Sequence, residues 1–270
     1  MTVAADPAGN ATTADGLRTP RVGIVIGSLE AGGAQRMALA LAHDLLDAGW
    51  EVRLFLLNPD REMALPGDGD RQAALEQRIH VLGGASVRAG TLVKVLQFPR
   101  LHRRLEREIT IHQLDVVVSF MERANLLNLL GSRKRPRIIS VRKQITVALA
   151  GKSAFKRWLI ERAYPLLLRR AAAIVLNAYG SAADFARRFA VSSDRLTVVP
   201  NAIAPEVAAQ ARAKPIGPGA DYLGPQAIVS VGRLVPAKGH ASLLRAFARV
   251  RESCPQARLV IVGNGPLLED

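Results

Sequence analysis

Apolar runs of strand length alternate along this chain with stretches whose apolar positions recur every three to four residues, and that alternation predicts a parallel α/β architecture. VGIVI (22–26) is the first apolar run, GSLEAGGA (27–34) a glycine-rich turn, and QRMALALAHDLLDAG (35–49) a helix stopped at Gly49. WEVRLFLL (50–57) is the next strand, which completes a right-handed βαβ unit. Polar residues with glycine and proline fill 58–78, a loop or short helix, before the short strand IHVLG (79–83). A basic helix over 91–109 is interrupted near Pro99, and LDVVVSF (114–120) is a further buried strand. RANLLNLLGS (123–132) reads as helix, RIISVR (137–142) as strand, and 153–171 as a helix with a local break at Pro165. AAIVLNA (172–178) is a strand, SAADFARRF (181–189) a helix capped by Ser181, and RLTVVPNAI (195–203) the strand leaving the domain.

The pattern then pauses and restarts. Residues 204–226 carry alanine, proline and glycine with few large apolar groups, as a linker does. AIVSVG (227–232), the turn RLVPAKGH, a helix, and ARLVIVG (257–263) before GNGP repeat the opening unit. The fold class is therefore α/β with two Rossmann-like, doubly wound parallel-sheet domains, over 21–203 and from 227 to 270. Residues 1–20 have neither signal-peptide character nor helical period and read as a disordered tail.

Charge changes this picture more than composition does. Residues 100–190 hold most of a net charge of +14, a local basic field suited to nucleic acid, an anionic membrane surface or a phosphorylated substrate. Aromatics are only 4% of the chain and no nucleic-acid-binding signature occurs, so charge alone favours a nucleic-acid partner, and none is expected. No apolar stretch approaches membrane-spanning length, and the single Cys254 excludes an internal disulfide; a cytoplasmic compartment follows as the expectation. His43, His80, His102, His112 and His240 lack metal-ligand spacing, so neither a metal nor a cofactor is expected.

Two turns carry candidate chemistry. GSLEAGGA matches neither the dinucleotide G-x-G-x-x-G spacing nor a triphosphate loop; Gly32 and Gly33 either shape a tight βα turn or let a ligand approach the backbone. At the second turn Arg233 follows the strand and Lys238 precedes Gly239 at a helix entrance. Two cations beside a helix dipole suit a diphosphate, with two solvated surface charges as the alternative.

IVSVGRLVPAKGHASLLRAFARV, LVIVGNGP, TVVPNAI and IGSLEAGGAQRMALALAHDLLDAGWEVRLF together resemble the family 4 glycosyltransferases, retaining enzymes of the GT-B architecture, over residues 21–270. The resemblance implies an N-terminal acceptor-side domain and a C-terminal domain that holds a nucleotide-diphosphate sugar. It implies that Arg233 and Lys238, with Gly232, bind the donor diphosphate and stabilise it as it leaves. Gly32 and Gly33 match the N-terminal glycine loop, and Gly263 and Gly265 a donor-side loop. The chain departs from the family at Pro200-Asn201-Ala202, where Pro-Asn-Gly is common. It also departs in SFMERAN (119–125), where Glu122 and Arg123 occupy the acceptor-side neighbourhood of a histidine found in many members. The family's paired glutamates are expected beyond Asp270, which implies a second domain truncated at its C-terminus. The acceptor implied is a glycan or lipid-linked saccharide. RWLIERAYPLLLRR (157–170) and LVKVLQFPRLHRRLER (92–107) interleave arginine with apolar residues, as a surface resting on an anionic leaflet does, or as ordinary core helices with solvated arginines do. A nucleotide-sugar epimerase and a non-catalytic sugar-nucleotide- or membrane-binding module stand as alternatives.

Overall fold

Strands buried on both faces of a sheet lose the polar alternation of a half-exposed strand, and the first one shows this: in β3 (Arg21–Ile26) every residue after Arg21 is buried. It lies inside a seven-stranded parallel sheet ordered β5-β4-β3-β6-β7-β8-β9, paired with β4 on one side and β6 on the other. The other members are β4 (Glu51–Leu56), β5 (Ile79–Val81), β6 (Val116–Phe120), β7 (Arg137–Val141), β8 (Ala173–Leu176) and β9 (Leu196–Val198). A computed structural model provides these coordinates and describes residues 4–5, 11–12, 18–86, 89–150, 153–202 and 222–269. Two units, Met1–Ala202 and Ile203–Asp270, make up the chain. Most of the tail expected over 1–20 and most of the linker expected over 204–226 lie outside the described residues. Ala4–Ala5 (β1) and Ala11–Thr12 (β2) form a two-residue antiparallel pair, and Pro20 already belongs to the domain, its carbonyl accepting from the Glu51 N–H at 3.0 Å.

Helices cover both faces of the large sheet. From α1 (Gly33–Asp47), Ala38, Leu39 and Ala42 pack with Ile24, Ile26, Leu54 and Leu56. The opposite face takes Leu101, Leu105 and Ile109 of α4 (Phe98–Ile111) and Ala124 and Leu127 of α5 (Glu122–Leu130), against Val25, Phe55 and Val117. Pro99 falls in the first turn of α4, where its missing N–H costs nothing, and so separates α4 from α3 (Thr91–Leu96) at the expected place. The 58–78 segment folds into a short helix, α2 (Gly69–Glu76).

Two expectations need correction, and one helix joins those expected. The helix over 153–171 is not broken at Pro165: α7 runs unbroken through Ala154–Leu168. Proline removes one N–H, but Tyr164 stacks edge-on against Phe189 at 5.2 Å and Leu168 is buried, so packing holds the helix on both sides of the ring. Ser181 caps nothing, because α8 (Tyr179–Phe189) begins two residues earlier, at an extended Ala178 without a side-chain cap. A helix that periodicity did not indicate, α6 (Ile145–Ala150), is stabilised from outside instead: Asp184 of α8 accepts from the Thr146 N–H at 3.0 Å and from its hydroxyl at 2.5 Å. Burial alone would raise the Asp184 carboxyl, but the two Thr146 bonds, the Arg187 charge and the Ile145 N–H together hold it below its usual range.

The second unit repeats the opening βαβ. Strand β10 (Ala227–Val231), helix α9 (His240–Ser253) and strand β11 (Arg258–Val262) follow in order, with β10 and β11 paired in parallel.

Candidate functional site

The order of the large sheet fixes where a ligand crevice belongs. The chain winds outward from β3 to β4 and β5, then returns to add β6 on the other side of β3. At such a reversal the connections leaving the carboxyl ends of the two central strands diverge and leave a cleft. The loop after β3 is anchored by Leu29, whose N–H donates to the Asp60 carbonyl while its own carbonyl accepts from Glu62 and Met63, all at 3.0 Å. With Ser28 and Leu29 buried, Ala31, Gly32 and Gly33 stand exposed at the N-terminus of α1. Neither glycine is demanded by the fold, since a methyl on Gly32 would displace only the tip of the flexible Gln35 side chain. Gly32 is extended, with φ −176°, and a methyl on Gly33 would meet nothing within 4 Å.

Across the reversal, β6 is followed by Met121, which has φ 72° and ψ 162°. Glycine alone adopts that region without strain, and a longer side chain there costs about 1–3 kcal/mol. The turn nonetheless delivers Glu122 and Arg123 to the first turn of α5 at the sheet's carboxyl edge, while β7 ends beside it at Arg142 and Lys143. Lys143 pairs with Glu122 at 3.7 Å. Arg142 lies over the Phe120 ring at 5.2 Å and donates to Asn201 Oδ1 at 2.7 Å. Burial lowers the pKa of both Arg123 and Arg142. Tyr164 is affected from the same side: burial first, then the Glu122 charge, raises its phenol well above the ordinary range.

In the second unit Arg233 and Lys238 are both exposed, and among the described residues neither pairs with a carboxylate. A 3₁₀ turn, Pro236–Lys238, and Gly239, in the left-handed conformation at φ 69°, swing the chain into α9. Lys238 Cδ and Cε would lie 3.8 Å from a methyl at Gly232, so the lysine folds back along the strand end that carries Arg233. His240, buried in the first turn of α9, lies 3.3 Å from the Arg233 carbonyl and braces the loop from below. The neighbouring loop after β11 joins it backbone to backbone. Gly232 donates to Val262 at 3.0 Å and Leu234 to Asn264 at 2.9 Å. A methyl at Gly263 would overlap the Gly232 carbonyl oxygen, and one at Gly265 would lie 2.8 Å from the Leu234 backbone nitrogen and carbon. Those glycines permit the two loops to touch.

The family model described as Glycosyltransferase Family 4 matches residues 31–207, and that of Glycosyl transferases group 1 matches residues 218–270. The chain belongs to Glycosyltransferase Family 4. It is 27% identical, over 93% of its length, to N-acetylgalactosamine-N,N'-diacetylbacillosaminyl-diphospho-undecaprenol 4-alpha-N-acetylgalactosaminyltransferase of Campylobacter jejuni, and spans 64% of that protein. Its fold is similar to that of sucrose-phosphate synthase from Thermosynechococcus elongatus, with TM-score 0.66 and 17% identity over 91% of this chain and 62% of that one. It is also similar to a glycosyltransferase from Rickettsia africae, with TM-score 0.51 and 12% identity over 91% and 68%. The architecture is that of the GT-B glycosyltransferases, with Rossmann-like α/β units.

This family 4 chain thus groups its sequence-marked residues by unit: Gly32, Gly33, Glu122 and Arg123 at one carboxyl edge, and Gly232, Arg233, Lys238, Gly263 and Gly265 at the other. The contact of Arg142 with Asn201 escaped the sequence reading, which placed Arg142 at the end of a strand and Asn201 in the Pro200-Asn201-Ala202 segment. Arg142 follows a buried strand just as Arg233 follows VSVG, and that parallel was the available signal. A second grouping lies away from both edges. His80 of β5 and Glu108 of α4, with His112 just after that helix, bring ligand atoms within 4.8 Å of one another. Arg53 Nε donates to His112 Nδ1 at 3.3 Å, which keeps the neutral ring's proton on Nε2, facing Glu108 Oε2 at 3.3 Å. His80 Nδ1 lies 3.9 Å from the same Glu108 oxygen, and His80 Nε2 is buried without a hydrogen-bond partner among the described residues.

Proposed function

We propose that this chain serves a glycosyltransferase that moves a sugar from a nucleotide-diphosphate donor to a lipid-linked saccharide or other glycan, with retention at the anomeric carbon. The observation that carries the proposal is the exposed, uncompensated Arg233 and Lys238 on one short turn at the carboxyl end of a parallel strand. Arginine supplies a planar fork and lysine a mobile point charge, and together they neutralise the charge that grows on a departing diphosphate. The rest is positioning: the touching glycine loops hold the cations at the strand ends, and Gly32 and Gly33 leave room for a ligand at the first unit's edge. The acceptor class is supported by the Campylobacter jejuni relative, whose name specifies a diphospho-undecaprenol-linked saccharide. Titration with UDP- and GDP-sugars tests the donor assignment. One of these should bind the parent chain, and Arg233→Ala should weaken it at least tenfold with the thermal melt unchanged. Equal affinity in parent and variant refutes the role of Arg233.

A lipid-linked acceptor places the enzyme at a membrane surface, and α3 suits that position. Leu92, Val95 and Leu96 are each more than 60% exposed on this helix, with Lys94 among them and Arg100, Arg103 and Arg107 following on α4. Among the described residues no helix is long and apolar enough to cross a membrane, so the proposed attachment is peripheral. Co-sedimentation with anionic vesicles should exceed that with neutral ones and fall with salt. Equal recovery with both removes the leaflet from the proposal.

A further inference from the structure

Glu108 and His112 lie one helical turn apart at the end of α4, so their side chains leave the same face of the helix. That face meets the edge strand of the large sheet, where His80 of β5 stands in register with Phe55 of β4. The two imidazole rings lie edge to face with centroids 4.8 Å apart, and Phe55 floors them at 5.5 and 6.4 Å. Glu108 Oε2 is 3.3 Å from His112 Nε2 and 3.9 Å from His80 Nδ1, and one ligand atom from each residue falls within 4.8 Å of the others. The cluster is open to solvent: His80, Glu108 and His112 keep 30%, 28% and 21% of their side chains exposed. A hydrogen bond between His112 Nε2–H and Glu108 uses two of these groups and leaves His80 without a role. Its Nδ1 is too far from the carboxylate for a hydrogen bond, and its Nε2 is buried without a partner among the described residues.

We infer that His80 Nδ1, Glu108 Oε2 and His112 Nε2 form a site for a divalent transition-metal ion of the zinc class. Two imidazoles and one carboxylate suit zinc and its first-row neighbours, whereas magnesium and calcium take oxygen ligands. At metal–ligand lengths of about 2.0–2.2 Å, tetrahedral neighbours lie about 3.3–3.6 Å apart. Glu108 and His112 already meet that spacing, and His80 closes by roughly an ångström at its tip. The exposed side of the cluster leaves the fourth position to water. A bound ion fastens the edge strand to the end of α4, away from both candidate ligand edges, so the inference does not rest on the proposed transfer reaction. Arg53 limits the affinity. Its Nε donates to His112 Nδ1 at 3.3 Å, which leaves the neutral ring's proton on Nε2. On metal binding the ring gives up the Nε2 proton and takes one at Nδ1, so the Arg53 bond is lost, and the guanidinium charge also repels the ion.

The test is calorimetric titration of the untagged, chelator-treated chain with Zn²⁺ alone at neutral pH. About one ion should bind per chain, and Glu108→Gln and His80→Gln should each weaken that binding by roughly tenfold or more. Arg53→Gln should tighten it, because the competing bond and the opposing charge are both removed. The melting temperature of the parent should rise with zinc concentration while that of His80→Gln stays level. Absence of zinc binding in the parent overturns the inference, and so does equal affinity in the parent, Glu108→Gln and His80→Gln, which marks an adventitious surface ion. Unchanged affinity in Arg53→Gln places the ion away from His112 and overturns it as well. Should Glu108→Gln fail to fold, His112→Phe takes its place, and unchanged affinity there is equally decisive.

Discussion

Replacing Gly33 by alanine distinguishes a glycine kept for the fold from one kept for a ligand. The added methyl meets no atom within 4 Å, and Gly33 is not among the residues with positive φ, so the native backbone accepts it. Alanine also narrows the conformational freedom of the unfolded chain, which stabilises by about 0.4–1 kcal/mol at a compatible position. For a unit of this size that is a rise of roughly 1–4 °C in melting temperature. A ligand drawn against the bare backbone meets the methyl instead. Forced overpacking costs about 1–3 kcal/mol, a loss of roughly 5- to 150-fold in affinity. The two halves of the expectation therefore have opposite signs, and thermal melting followed by circular dichroism, beside titration with UDP- and GDP-sugars, reads both from one protein preparation. A melting temperature lowered by several degrees would show that the turn itself needs glycine. Unchanged affinity with a raised melting temperature would remove the first glycine loop from the ligand site.

Two further outcomes follow from the interior. Arg137 is buried and its Nη2 donates to both Glu106 carboxylate oxygens, at 2.9 and 3.1 Å, so Glu106→Gln should destabilise by about 3 kcal/mol in urea, and Arg137→Met in the same chain should recover much of the loss; an isolated effect below about 0.5 kcal/mol would contradict it. The His80 imidazole is held below its ordinary pKa by burial and then by His112, with Arg53 adding to them and Glu108 opposing. The unfolded chain therefore takes up this proton first, so the contribution is complete above about pH 6.5 and declines as pH falls from there through the lower folded value. Urea midpoints between pH 5 and 8 should be flatter for His80→Phe than for the parent, and identical slopes would refute the assignment.

Much of this architecture was visible in the chain because buried parallel strands and glycine turns leave local marks. β3, β4, β10 and β11 fall within a residue or two of their apolar runs. Apart from the start of α8, set two residues before Ser181, the failures are places where a distant partner decides. Pro165 stays inside a helix because Tyr164 meets Phe189, and α6 forms because Asp184 reaches Thr146 from another helix. At the two candidate edges, the turns that carry the glycines and the Arg233 and Lys238 pair were legible as turns, being local in sequence. The contact of Arg142 with Asn201 and the strained Met121 were not. Asn201 lies 59 residues from Arg142, and nothing in SFMERAN signals a backbone conformation that normally requires glycine.

Met121 also bears on how such a protein would respond to engineering. Glycine at this position would relax the turn, so a library screened for heat tolerance alone should enrich Met121→Gly. The same replacement would loosen the segment that aims Arg123 and Glu122 at the cleft, and the survivors of that screen would be sturdier proteins with a less defined entrance to α5. Selection for thermal resilience and selection for turnover should therefore diverge at this one residue.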